Sequence, residues 1–356
     1  MSTFKVGLPE LKMRNPNRYI RTTNPAENPL KYWLGSELAK SVGGIQHVLR
    51  NRLVAGEITA LYGLPKSGKT FIAILLALAA ALDDIFWGQT FKNNGTNIIY
   101  FAAERVDQVT HRLLAAARRI GIWGVPANII VVDAWSYKGL SDEEFVEQLA
   151  GFVAEKNPSL VIFDTYARLI INNEDKAADA TGNIKILEKI ISASQNPCAG
   201  LLVHHSGKEE GRKMRGSNAL LAAVTTSWKV SKKENLYCLE MEDANAFEPC
   251  EPAYFEITTM EFPLAPDDNT RLTVGVAVPV APPPPPKSQQ TLILEAWSET
   301  NAAWQSIQDI RALLAATGHR MGDSTISRAL SKMVIAGEVE IRKVGKKNMY
   351  RVCNLN

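Results

Sequence analysis

Eight consecutive residues, Gly63-Leu64-Pro65-Lys66-Ser67-Gly68-Lys69-Thr70, satisfy G-x-x-x-x-G-K-[ST] at every fixed position. That spacing is suited to cradling phosphate. The glycines let the backbone curl until successive N–H groups face one anion. Lys69 then reaches the β- and γ-phosphates as a point charge, and the Thr70 hydroxyl suits Mg²⁺. The expected nucleotide contacts are Gly63, Pro65, Lys66, Ser67, Gly68, Lys69, Thr70 and Phe71, with ATP and Mg²⁺ as ligands. Nothing in the sequence selects adenine over guanine.

Further candidates lie downstream. Leu160-Val161-Ile162-Phe163-Asp164 has the composition of a strand buried on both faces, and its end would deliver a carboxylate beside the phosphate loop. Thr70 and Asp164 are therefore the expected metal ligands. Glu104 follows an apolar run at 97–102 and admits two readings. It either orients the water that attacks the γ-phosphate, or it complements the dipole of the helix that follows. His204 and His205 end another apolar run, so their side chains point to opposite faces and joint metal chelation is disfavoured. One of them is placed to meet the γ-phosphate or the attacking water, and a structural role for both stays open. The segment 207–217 is charged and flanked by glycine. There Lys208, Arg212 and Lys213 suit a phosphate backbone, and Arg215 suits the γ-phosphate of a neighbouring subunit. Such a trans-acting arginine contributes on the order of 10³–10⁵ in turnover. A solvated charged loop is the plain alternative. The acidic segment 172–182 is a second expected mobile loop.

These residues need an alternating α/β frame. Strands are expected at 56–62, 97–102, 129–132, 160–163 and 200–203, and helices at 70–82, 106–120 and 182–194. A further helix, running to about 156, is expected to open with a capping box at Ser141-Asp142-Glu143-Glu144. Strands at 223–230, 236–242 and 253–258 are expected to extend the sheet in antiparallel fashion. Residues 1–44 read as an irregular N-terminal arm with one short helix near 31–41. They suit packing on a neighbouring subunit or a loosely ordered tail.

The chain has 356 residues, comfortable for two domains, and 46% of them are apolar. A net charge of +3 is too small to imply nucleic acid by itself, so any such argument rests on local patches. Four cysteines without a C-x-x-C pair argue against zinc and disulfides and fit a reducing cytoplasm. The N-terminus lacks the apolar core of a signal peptide. The longest apolar run, 71–82, falls short of the roughly 20 residues that span a bilayer. A cytoplasmic protein with no membrane partner is expected.

Five consecutive prolines at 282–286 mark a stiff linker, placed at 279–288, or alternatively a docking ligand. Beyond it, helices at 291–297, 307–315 and 325–336, the last capped by Asp323-Ser324, precede a hairpin of 338–341 with 348–352. Three helices and a two-stranded wing describe a winged-helix domain. Arg342, Lys343, Lys346, Lys347 and Arg351 cluster on the wing, beside a third helix carrying Arg328 and Lys332. That cluster suits DNA, and such a domain also docks proteins.

Taken in order, the P-loop at 63–70, Ala103-Glu104-Arg105, Phe163-Asp164-Thr165 with Arg168, His204-His205-Ser206-Gly207-Lys208 and Arg215-Gly216-Ser217 form a specific set. On these residues the span of about 45–260 resembles the RecA-type ATPases of the plasmid RepA group, the hexameric replicative helicases. The resemblance implies Glu104 as catalytic base, Asp164 as magnesium ligand, His205 as γ-phosphate sensor and Arg215 as trans-acting finger. It also implies a homo-oligomeric ring around single-stranded DNA. The longer arm and the proline-linked domain depart from that group, and other replication proteins are candidate partners of the added domain. The expected fold is α/β: a RecA-like P-loop core with a mostly parallel central sheet over 45–278, plus a small α+β winged-helix domain over 289–356.

Overall fold

Ile58–Gly63 (β1) is apolar at almost every position and wholly buried, as a strand covered on both faces must be. In the computed structural model, which describes residues 46–93, 95–134, 139–170, 177–205, 220, 223–244, 247–263, 271–285, 287–298 and 304–353, β1 is central to a nine-stranded sheet. The other strands are Asn97–Ala102 (β2), Ile129–Asp133 (β3), Pro158–Asp164 (β4), Ala199–His205 (β5), Thr226–Lys233 (β6), Leu236–Ala244 (β7), Ala253–Pro263 (β8) and Arg271–Val280 (β9). Their spatial order is β9-β8-β7-β6-β1-β5-β4-β2-β3. The strands from β6 across to β3 are parallel, and β7, β8 and β9 add on in antiparallel fashion.

Side-chain alternation splits the sheet into two apolar layers. Leu61, Tyr100, Ile162 and Val203 face Ile72 and Leu76 of Lys69–Ala81 (α1) and Leu113 of Val106–Arg119 (α2). Ala60, Phe101, Phe163 and Leu202 face Leu149 of Glu143–Lys156 (α3) and Leu187 of Ala177–Ile191 (α5). A one-turn helix, Tyr166–Leu169 (α4), follows β4. Gly200 is required on β5 because a Cβ there would meet the Ile58 side chain at 2.3 Å. This is the RecA-like core, with its mostly parallel sheet, that the sequence predicts.

Local differences have identifiable causes. The strand at 226–233 pairs antiparallel with β7, as the tail was expected to, but joins the central sheet in parallel with β1, Thr226 opposite Thr59. Strand composition does not encode the direction of a partner. The sheet also gains β9, paired with β8 over its whole length, so Pro279 and Val280 belong to a strand rather than to the linker. Helix α3 is capped by Asp142, whose side chain accepts from the Phe145 N–H, and not by Ser141. Helix α5 begins at Ala177, so the second half of the expected 172–182 loop is helical; 172–176 lies outside the described residues. The arm at 1–44 and its expected helix lie outside them as well.

The chain divides into two compact units between Val280 and Ala281. In the second, Gln289–Ser298 (α6), Ile307–Ala316 (α7) and Asp323–Ile335 (α8) precede a ribbon of Val339–Val344 (β10) and Lys347–Val352 (β11). Ile293, Trp297, Ile310, Leu314, Ile326, Leu330, Met333 and Tyr350 make its core. Ser306 and Asp309 form a reciprocal capping box on α7. Helix α8 starts at Asp323 with Gly322 as its N-cap, so Asp323-Ser324 lies inside the helix rather than ahead of it. The ribbon turns at Gly345, φ 60°, which brings Lys343 and Lys347 into the strands instead of the turn. Residues 281–285 are exposed and belong to no helix or strand.

Candidate active site

The loop between β1 and α1 is shaped by what its backbone must do. Gly63 has no room for a side chain: a Cβ would sit 2.2 Å from the Val230 carbonyl oxygen of β6 and 2.7 Å from Ser67 Oγ. Gly68 adopts φ 92°, and a Cβ there would also press on the Tyr237 ring at 3.0 Å. Lys66 is likewise left-handed, at φ 65°. Gly68 caps α1 without any side-chain acceptor and no acidic residue occupies the first turn, so the helix presents its free N–H groups to an anion.

Lys69 is nearly buried, at 5% exposed. Its ammonium donates to the carbonyls of Gly63 at 3.0 Å and Leu64 at 2.8 Å, which aims it along the loop. Burial pushes its pKa down to about 8, against the opposing pull of Asp164 and Glu104. Asp164, at the end of β4, is 4% exposed. Its Oδ2 accepts from the Tyr100 hydroxyl at 2.6 Å, and the Thr70 hydroxyl also bonds to the carboxylate. Burial holds its pKa above the usual carboxylate range, and those two hydroxyls pull it back. The two expected metal ligands are therefore direct neighbours.

Glu104 precedes α2, whose N-cap is Arg105 at φ 45°. Its Oε1 accepts from Thr165 Oγ1 at 3.1 Å and lies 3.4 Å from Arg168 Nε. The carboxylate is thus fixed from the β4 end of the sheet. His204 and His205 separate as strand alternation demands. His204 is fully buried, edge-on to the Tyr166 ring at 5.3 Å between centroids. His205 is half-buried and lines the same cavity as Glu104.

That cavity measures about 390 Å³, and Lys66, Gly68, Lys69, Thr70, Phe71, Glu104, Asp164 and His205 all face it. The volume falls in the range of roughly 300–1,000 Å³ common to small-molecule sites. Gly63 and Ser67 are buried beneath the loop and Pro65 stands exposed at its tip, so none of these three lines the cavity. Arg105, Val109 and Thr165 complete the wall together with Gln108, Arg112, Tyr237 and Ile257, and the sequence pointed to none of these last four as site residues. The Arg112 guanidinium sits 4.6 Å over the Phe71 ring. Tyr237 and Ile257 arrive on the antiparallel strands, more than 160 positions from the phosphate loop. Tyr100, which the sequence also did not single out, is recognisable only from register: β2 and β4 pair Ala102 with Asp164, placing Tyr100 two steps back on the adjoining strand.

The donor set fits a nucleoside triphosphate with Mg²⁺. Ser67 Oγ is buried beneath the loop beside Gly63, without a hydrogen-bond partner among the described residues, and is not part of the cavity wall. Thr70 and Asp164 are hard oxygen donors, the kind Mg²⁺ takes alongside phosphate and water. Lys208, Arg212, Lys213 and Arg215 lie outside the described residues. Arg328, Lys332, Lys343, Lys346 and Lys347 are exposed on the second unit. Among the described residues no helix is long and apolar enough to cross a membrane.

No curated protein matches the chain. Residues 27–211, just over half of its length, match the sequence model of the AAA domain. With the phosphate loop, buried lysine, paired aspartate and RecA-like sheet in place, the chain belongs to this family of P-loop ATPases.

Proposed function

We propose that this protein is an ATP-driven DNA motor: a RecA-like ATPase that assembles into a homo-oligomeric ring, hexameric by resemblance, and translocates on single-stranded DNA as a replicative-type helicase. The observation that carries the catalytic half is convergence. Lys69 and Thr70 after β1, Glu104 after β2, Asp164 on β4 and His205 on β5 share one cavity, although they span more than 130 positions of sequence. In this reading Lys69 and the free N–H groups of α1 bind the β- and γ-phosphates. Glu104, held by Thr165 and Arg168, orients and deprotonates the attacking water. His205 meets the γ-phosphate. Thr70 and Asp164 would hold Mg²⁺, which supplies charge neutralisation on the transferred phosphoryl group.

The motor half rests on the ordered motifs around Glu104, Asp164, His205 and Arg215. Arg215 is assigned to the neighbouring subunit's γ-phosphate, and Lys208, Arg212 and Lys213 to the DNA backbone. The three helices and ribbon of 289–352 follow the order of a winged helix, with Arg328, Lys332, Lys343, Lys346 and Lys347 as its candidate DNA contacts.

The test is steady-state ATPase activity with and without single-stranded DNA, on wild type, Lys69→Ala, Arg215→Ala and a mixture of the two variants. Strong stimulation by DNA, two dead variants and partial recovery on mixing are the expected results. If DNA leaves turnover unchanged and Arg215→Ala hydrolyses normally, the motor reading fails and an ATP-switched DNA-binding or assembly factor takes its place.

A further inference from the structure

The second unit carries an arrangement that its sequence does not announce. Gln305 exchanges both backbone hydrogen bonds with Tyr350, each at 2.8 Å, so the chain ahead of α7 adds a short third edge to the ribbon. This bridge sets the neighbouring Trp304 beside the ribbon. The Arg342 guanidinium lies 4.1 Å from the centre of its indole and the Arg351 guanidinium 5.0 Å. Two like charges over one ring repel unless one is compensated, and Arg351 is, through Glu340 at 2.6 Å. Arg342 makes no ion pair among the described residues.

Register decides which way these groups face. Pairing of Glu340 with Arg351, Arg342 with Met349 and Val344 with Lys347 puts all six on one side of the ribbon. The buried Val339 and Tyr350 occupy the other side, against the core. The outer side therefore presents Arg342, Arg351 and Lys347 to solvent, with Lys346 at the turn. Across 339–352 there are five cations and one carboxylate. Helix α8 offers much less: Arg328 and Lys332 against Asp323, which is itself paired with Arg311 at 2.9 Å.

A guanidinium stacked on an aromatic ring keeps its N–H edge free and its plane fixed, which suits bidentate contact with a phosphodiester. We infer that the outer face of this ribbon is a nucleic-acid backbone clamp. Arg342 makes the primary phosphate contact, Arg351, held by Glu340, lies beside it as a supporting charge, Trp304 is the positioning residue that holds the two guanidiniums, and α8 is secondary. This rests on the reading of the chain as a DNA-associated ATPase, but it concerns a different surface from the ATP site.

The experiment is fluorescence anisotropy of the full chain with a labelled 30-nucleotide single strand and its duplex, across a salt series. The variants are Arg342→Ala, Arg342→Lys, Trp304→Leu and the double change Arg328→Ala with Lys332→Ala. Arg342→Ala is expected to weaken binding about five- to tenfold and to lower the slope of log K against log salt by about one. Arg342→Lys keeps the slope and loses part of the affinity, because an ammonium keeps the charge without the planar fork. Trp304→Leu weakens binding about threefold, with unfolding midpoints identifying any variant that misfolds. The α8 double change stays within about twofold of wild type. Equal binding by wild type and Arg342→Ala, or a larger loss from the α8 change, overturns the clamp. Basal ATPase of Arg342→Ala should equal wild type. If DNA stimulates wild-type turnover while Arg342→Ala binds normally, the clamp falls and the motor stands. If DNA never stimulates turnover but Arg342→Ala loses binding, the motor falls and the clamp stands.

Discussion

Lys69 makes ATP binding sensitive to alkaline pH in a way that can be worked out from its surroundings. In the nucleotide-free site its ammonium is buried, and its pKa falls from an ordinary 10.5 to about 8. The triphosphate favours the charged form, so binding draws on the protonated fraction. At pH 7 most molecules carry the ammonium. At pH 9, one unit above the free-state pKa, only about one in ten does. The apparent Kd should therefore rise about tenfold between pH 7 and pH 9, a loss of about 1.4 kcal/mol. The terminal phosphate, with a pKa of about 6, is already ionised over this range. The buried Cys198 thiol, pushed up to about 12, stays silent there. Titration of the full chain with a non-hydrolysable ATP analogue at pH 7, 8 and 9 measures the effect, and proton uptake on binding at pH 8.5 checks its origin. Lys69→Arg should bind with no such slope, because a guanidinium stays charged. A wild-type Kd that changes less than twofold from pH 7 to 9 would refute the reasoning. The same shift acts on folding. The unfolded chain holds the Lys69 proton up to about 10.5 and the native state releases it near 8, so the unfolded state binds more protons in that window. Nucleotide-free stability should thus gain up to about 3 kcal/mol from this group as pH rises from 8 towards 10.5.

Gly63→Ala should lower stability by about 2–3 kcal/mol in urea denaturation, because the added Cβ meets the Val230 carbonyl at 2.2 Å and neither backbone can yield. An unchanged midpoint would refute the close approach of the loop to β6. Tyr100→Phe removes a 2.6 Å donor from a buried carboxylate and should cost about 1–2 kcal/mol. Because that hydroxyl lowers the Asp164 pKa, its loss raises the pKa further, and the acid limb of the pH–rate profile should move to higher pH. A profile superimposable on wild type would count against it. Asp142→Ala should destabilise by about 1 kcal/mol through loss of the α3 cap, while Ser141→Ala should be close to neutral. Equal effects from both would return the cap to Ser141.

The residues assigned to phosphate were legible in the sequence because their constraints are local. A loop that must curl around an anion needs glycine, and one that must neutralise it needs lysine at a fixed offset, so the motif at 63–70 carries its chemistry within one turn of chain. Asp164 and the histidine pair were legible for a related reason: each closes an apolar run whose composition reveals a strand buried on both faces. Period-two alternation also put His204 and His205 on opposite sides. Which of them faces the cavity was a question the folded sheet answered.

What only the tertiary structure decided depends on register and strand order. Tyr100 becomes the partner of Asp164 because β2 lies beside β4. Tyr237 and Ile257 join the wall because the antiparallel strands curl back beside the phosphate loop. The parallel pairing of β6 with β1 was invisible for the same reason, since a strand's residues report its burial and not its neighbour's direction. The fixing of Glu104 by Thr165 and Arg168, and the stacking of Arg342 and Arg351 on Trp304, join segments that no local pattern connects. Short-range chemistry is written in spacing along the chain. Long-range contacts arise from how buried surfaces pack, and there the identity of a partner follows from the whole fold.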